Sequence, residues 1–292
     1  MLFAAAVCAD VRRVLVIAAA LAAPRAALAA DVQPDASALI AKAVEAFGGP
    51  AAVDAVGALE LKGRGTRRIQ ADDVPVATVT RYFFPDRYYQ ELVLPMGTMK
   101  TILGPKAAFI VAGEGSLPLP DAERQSMMKL MQRNVVAVLK ARRQPGFAAT
   151  VVGTDTVEGT AVQLVQVTRD GDALVLAIDP ASGQVRQTRY ESSGGLAPAG
   201  KLVVTYSDYR PSGALPPGTI RYPFRAAGVM SGQPAFTQTL ETVVVNPKLD
   251  EALFEAPAPH AMFPGVEDLP LPSPPPTLLP RPSPSPTPMP RE

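Results

Sequence analysis

Two pairs of carboxylates lie close enough in sequence to suggest acid–base chemistry: Asp86 with Glu91, and Glu114 with Asp121. One carboxyl of such a pair would donate a proton while the other accepts one or activates water. Each pair has a plainer role. Asp86 belongs to the turn Phe84-Pro85-Asp86-Arg87, where Pro and Asp are favoured. Asp121 follows Pro120 at an expected helix start, where a negative charge suits the helix dipole. The single histidine, His260, stands in a proline-rich stretch, away from any nucleophile or ligand set that a triad or metal site would need. Val152-Gly153-Thr154 and Gly194-Gly195 match no phosphate-binding loop. The residues therefore give no catalytic group, no metal site and no cofactor, and a non-enzyme is expected.

The stronger signal is apolar. Five of the seventeen Phe and Tyr residues fall between Tyr82 and Tyr89, and five of the nine methionines lie between Met96 and Met131. Strand side chains alternate between faces, so Tyr82 and Phe84 share one face, and Leu92, Leu94 and Met96 form a second run. Methionine is unbranched and polarizable and adapts to varied apolar ligands. Tyr82, Phe84, Tyr88, Leu92 and Leu94 from the strands are candidates to line a lipid-holding cavity. Met96, Met99, Met127, Met128, Met131 and Val135 are the others. The competing role for all of them is ordinary core between sheet and helix. Arg67, Arg68, Arg81 and Arg87 flank the aromatic strands, and Arg81 and Arg87 are candidates for a lipid head group or a partner's acidic face. Cross-strand pairing with Glu60, Asp72 or Asp86 competes for the same arginines.

These residues need a scaffold. A short helix is predicted from a cap at Asp35 or Ser37, through Leu39, Ile40, Ala43, Val44 and Phe47, to the Gly48-Gly49 stop. Pro50 suits the first turn of a second helix ending near Val56. Strands are predicted near Ala58–Arg67, Val74–Phe84, Tyr88–Leu94, Met99–Leu103 and Lys106–Ala112. A second series runs near Ala149–Thr156, Thr160–Thr168, Ala173–Asp179, Val185–Glu191, Lys201–Tyr209, Gly218–Arg225 and Pro234–Val245. Sequence neighbours should pair into an antiparallel meander. One helix of about 23 residues, Asp121 to Arg143, separates the two series and would span about 34 Å. Met128, Met131, Val135, Val138 and Leu139 lie along one side of it.

The ends differ in composition. Arg12-Arg13, the apolar Val14–Ala23 and the small-residue pattern Ala27-Leu28-Ala29 read as a signal peptide over residues 1–29 and imply a periplasmic protein. Residues 30–256 form the expected domain. The one cysteine, Cys8, lies in the segment expected to be removed, so the mature chain must fold on its hydrophobic core. From Pro257 to Pro290 there are 14 of the 32 prolines, and residues 257–292 read as a disordered tail. The whole chain carries a formal net charge of +1. That leaves no basic excess for a phosphate backbone and argues against nucleic acid as a partner.

In this order, several segments resemble the LolA-like outer-membrane lipoprotein-sorting superfamily. They are LIAKAVEAFGGPAAVDAVGALELKGRG, YFFPDRYYQELVLPMGTM, IDPASGQVRQTRY, VTYSDYR and LETVVVNPKLDEALFEAP. The resemblance runs from Asp35 to Pro257 and points to the wider fold rather than to the dedicated carrier. It implies an α+β fold: a curved antiparallel sheet, an open half-barrel of about eleven strands, with helices covering the concave face. It also implies a carrier of lipid or lipoprotein acyl chains held in that concavity. The expected protein is a periplasmic monomer that uses the Asp121–Arg143 helix as a movable cover. A non-catalytic interaction module of an envelope complex, with a solid core, is the alternative. A hydrolase on the same sheet comes third.

Overall fold

Asp35 opens the first helix by accepting a hydrogen bond from the Ser37 amide at 3.3 Å, as expected of an N-cap. The helix, α1 (Ala36–Ala46), buries Leu39, Ile40, Ala43 and Val44. It stops because Gly48 adopts φ +120°, and a Cβ there would approach the Thr219 carbonyl oxygen to 2.8 Å. Pro50 then starts α2 (Pro50–Asp54). The structure, a computed structural model, describes residues 35–194, 199–212 and 219–255. The expected signal peptide, Cys8, His260 and the proline-rich tail lie outside these residues.

Six strands come after α2: β1 (Ala58–Ile69), β2 (Asp72–Phe83), β3 (Arg87–Leu94), β4 (Gly97–Leu103), β5 (Ala108–Ala112) and β6 (Gly115–Pro118). Two helices come next, α3 (Asp121–Gln132) and α4 (Val135–Lys140), with a 3₁₀ turn at Ala141–Arg143. Seven more strands complete the sheet: β7 (Ala148–Val157), β8 (Thr160–Arg169), β9 (Asp172–Ile178), β10 (Val185–Ser193), β11 (Ala199–Pro211), β12 (Arg221–Met230) and β13 (Gln233–Val245). The result is an α+β fold built on one curved, open antiparallel sheet of thirteen strands, in the order β6-β5-β4-β3-β2-β1-β13-β12-β11-β10-β9-β8-β7. Each series is a meander, and the first and last strands join them through β1–β13. Asn246 fixes that seam: its side chain accepts from the Gly57 and Ala58 amides and donates to the Ala55 carbonyl.

The sheet has more strands than the eleven expected. β6 has only four residues, too few for a readable alternation, and β12 runs later in the chain than Gly218–Arg225. The topology also fixes the path of α3 and α4. They join β6 to β7, the two edges of the sheet, so the connection crosses one face. That inner face carries the main core, in which α1, α2 and α4 pack against β1 and β8–β13. The opposite face is capped near β3–β5 by Phe254 and Leu253, from a 3₁₀ turn at Glu251–Phe254, against Tyr89 and Ile102.

The expected single helix from Asp121 to Arg143 is broken. Asn134 has φ −56° and ψ 133°, outside the helical region, and its side chain caps α4 by accepting from the Val136 amide. Apolar spacing continues through the break, which is why periodicity alone reads one helix.

Candidate functional site

Residues opposite one another across an antiparallel pair point to the same face, so register gives the rows of the inner surface. One row runs Val245, Leu59, Tyr82, Tyr88, Leu103 and Ala108. The next runs Val243, Leu61, Thr80, Gln90, Thr101 and Ile110, and a third runs Leu240, Gly63, Thr78, Leu92, Met99 and Ala112. Farther along β1, Arg67 lies opposite Phe236. The inner face is thus aromatic and apolar at one end, threonine-rich in the middle, and basic at the other end. Its middle polar groups satisfy one another: Gln238 donates to Thr78 at 3.0 Å, and Gln90 to Thr80 at 3.4 Å.

α3 covers the first row. Met127 and Met131 are buried against Tyr88, Leu103 and Ala108, with Tyr82, Leu119 and Met128 packed around them. The Tyr82 ring meets Tyr88 edge-on at 5.2 Å and stacks on Phe84 at 5.7 Å. Five of the sequence candidates therefore come together here: Tyr82, Tyr88, Met127, Met128 and Met131. Phe84 and Val135 pack instead with the main core. Leu92 and Met99 share a row farther along, and Leu94 lies opposite Gly97 beyond them. Met96 sits in the β3–β4 turn and is 69% exposed.

Arg81 and Arg87 point away from this surface. Arg81 shares its row with Glu60 and Tyr89 on the other face and donates to Glu60 at 2.7 Å. Burial raises the Glu60 pKa, but hydrogen bonds from Lys62 and Arg81 outweigh it and hold the carboxyl below its ordinary value. Arg87 lies over the Phe83 ring at 4.7 Å and pairs with Glu251 at 3.1 Å. Alternation already separates Arg81 from Tyr82, so both arginines serve the outer face.

The two helices are held differently. α4 buries all five residues from Val135 to Leu139. Lys140 donates to the Val56 carbonyl, and Arg142 makes a two-pronged pair with Asp54, whose pKa the Arg142 hydrogen bond lowers. The break itself is pinned. Arg133 donates to Asp172 through two bonds of 2.8 and 2.6 Å and lies 4.3 Å over the Tyr190 ring. Asn134 donates to the Tyr222 hydroxyl at 3.1 Å. α3 itself makes no side-chain hydrogen bond to a sheet strand among the described residues; Arg124 reaches only the Pro105 carbonyl, at 3.4 Å in a loop. Glu123 Oε2 is buried with no hydrogen-bond partner among the described residues.

Two small hollows flank these helices. One of about 50 Å³ lies beside Met127, Leu130, Tyr190 and Leu202. The other, about 20 Å³, lies among Val138, Phe147, Val167 and Leu174. Both are water-sized and far below the roughly 300–1,000 Å³ of a drug-sized pocket. An acyl chain can enter beneath α3 only if α3 moves.

No family model matches the chain. No curated protein matches it either. Solved structures do. A DUF1329 family protein from Desulfovibrio piger is 12% identical, with 76% of this chain and 97% of that one covered and a TM-score of 0.48. A LolA superfamily protein from Nitrosomonas europaea is 10% identical over 76% and 98%, TM-score 0.48. A putative outer membrane lipoprotein-sorting protein domain from Vibrio parahaemolyticus is 8% identical over 74% and 94%, TM-score 0.45.

Within this thirteen-stranded sheet, sequence reading missed an inner-face group of tyrosines from distant strands: Tyr190, Tyr206, Tyr209 and Tyr222. Burial raises the pKa of each, to about 12 for Tyr190. Tyr206 bonds Thr188 at 3.0 Å, and Tyr209 donates to the Val185 carbonyl at 2.5 Å. Tyr206 and Tyr209 are three residues apart on β11, and alternation would separate them; Asp208 between them, at φ +59°, breaks the strand's regularity and brings both to the interior. Only the β1–β13 seam shows that this is the face of Tyr82.

Proposed function

We propose that this chain is a non-catalytic envelope protein that binds and carries an apolar ligand, an acyl chain of a lipid or acylated protein, against the inner face beneath α3. One observation carries the reading. α3 fills the space over Tyr82 and Tyr88 with flexible methionines, yet among the described residues no side-chain hydrogen bond to a strand holds it there. An entering chain would replace the Met127 and Met131 contacts with its own, each buried methylene contributing about 0.8 kcal/mol. The firmly held α4 and the Arg133–Asp172 pair would act as the fixed end about which α3 swings. Export by a leader over residues 1–29 belongs to the same proposal.

One observation favours a second reading. The described hollows are water-sized, as expected of a solid interaction module whose methionines are ordinary core. Lipid mass spectrometry on protein purified from its own envelope separates the two. A stoichiometric lipid or acylated peptide supports the carrier and names its cargo. A lipid-free preparation that also takes up no fluorescent fatty acyl probe contradicts it and leaves the interaction module.

A further inference from the structure

Arg67 is an exception among the arginines. Each of the others among the described residues pairs with a carboxylate or donates to a carbonyl. Its neighbour Arg68 reaches Asp73 at 3.0 Å, Arg64 reaches Glu241, and even Arg221, without a carboxylate, donates to the Tyr209 carbonyl at 3.2 Å. The Arg67 side chain makes no hydrogen bond and no ion pair among the described residues. It points to the inner face, where its guanidinium lies 4.6 Å over the Phe236 ring. That ring lies against Gly228, where a Cβ would collide with it, so the platform under Arg67 is fixed by packing.

The surroundings of Arg67 are those of a binding group rather than of a solvated strand end. It is half-buried. The ionisable groups that act on it are the Tyr88 and Tyr82 phenols, the aromatic floor beneath α3. Desolvation lowers its pKa, a cost that no described carboxylate offsets. A cation stacked on an aromatic platform, desolvated and left with free N–H donors, is arranged to accept an oxyanion in two-pronged geometry. Between it and the methionine cluster lie Thr78, Thr80 and Leu92, with little charge to repel an extended chain.

We propose that Arg67 is a specificity-determining residue that pairs with the carboxylate of a single-chain fatty acid, whose tail runs along the inner face toward Tyr88, Met127 and Met131. The inference rests on the carrier reading and adds to it the charge and polarity of the cargo. Its chemistry is an ion pair only; no bond is made or broken.

The test compares laurate with dodecanol, chains of equal length that differ in head-group charge. Each displaces a neutral fluorescent probe, N-phenyl-1-naphthylamine, from the protein at pH 8. Wild type should bind laurate about tenfold more tightly than dodecanol, the range of a charge-assisted pair. Arg67→Gln should abolish that preference while leaving dodecanol within about twofold, and Arg67→Lys should keep part of it. A laurate preference that survives Arg67→Gln in a folded protein overturns the assignment, as does a wild type with no preference. If neither ligand displaces the probe from wild type, the carrier reading itself fails, and the Arg67 assignment fails with it.

Discussion

Met131 is 1% exposed and sits at the centre of the α3 cluster. Truncating such a side chain leaves a cavity, and Met131→Ala should cost about 2–4 kcal/mol in urea unfolding. A filler residue and a ligand-replaceable residue respond differently to added ligand. If the space is where an acyl chain binds, saturating laurate should return part of that loss through linkage. It should also raise the unfolding midpoint of the variant more than that of wild type. Equal shifts in both proteins would mark Met131 as plain core. Arg81 and Arg87 behave in the opposite way. Their charge and position beside the aromatic run suggest a head-group role, yet simple alternation sets Arg81 on the face away from Tyr82. Arg67, on the inner face and without an ion-pair partner among the described residues, carries the feature that matters.

Among the elements, α3 and α4 were readable as amphipathic helix but not as two. The break falls at Arg133-Asn134, where neither residue interrupts the apolar spacing. Asn before Val135 is nevertheless a good N-cap in sequence. Local sequence held no sign of the ion pair to Asp172 in β9 or the bond to Tyr222 in β12, because both are long-range. The consequence is an anchored α4 beside a loosely held α3. Hydrogen exchange should show it directly. Amides of α3 should exchange through a local opening well below the global unfolding free energy, while those of α4 exchange only with the sheet. Equal protection in both helices would remove the movable cover from the mechanism. The strands show the converse. Long alternating runs such as β1, β2 and β13 were legible because one face is buried, whereas β6, with four residues ending in Pro118, offered no period to read.

On the scale of the whole molecule, the β1–β13 seam turns two meanders into one curved sheet and gathers six tyrosines, Tyr82, Tyr88, Tyr190, Tyr206, Tyr209 and Tyr222, onto one interior. Burial raises all six above the ordinary value of 10. The folded chain therefore keeps phenolic protons that the unfolded chain releases, and stability falls as pH rises above about 10. Below that value the shifts have no effect. A spectrophotometric titration should show the seventh, Tyr89, raised to about 12 by burial and the Glu91 hydrogen bond. The six inner phenols should ionise together with loss of the circular-dichroism signal. Smooth titration of all seven near 10 in a folded protein would contradict the packed interior. Only the Tyr82–Tyr88 pair of the β2–β3 hairpin was readable from local sequence; the other four tyrosines join it from β10–β12, which meet β2 only through long-range pairing.

The proposed carrier function requires above all that an acyl chain reach the surface beneath α3. The chain contains no tryptophan, so Tyr88→Trp gives a single reporter at that surface. Titration with 9,10-dibromostearate, whose bromines quench only a tryptophan in contact, tests the claim directly. Saturable quenching at one ligand per chain, reversed by laurate, is the expected result. An unquenched, buried tryptophan in a folded protein at saturating ligand would contradict it.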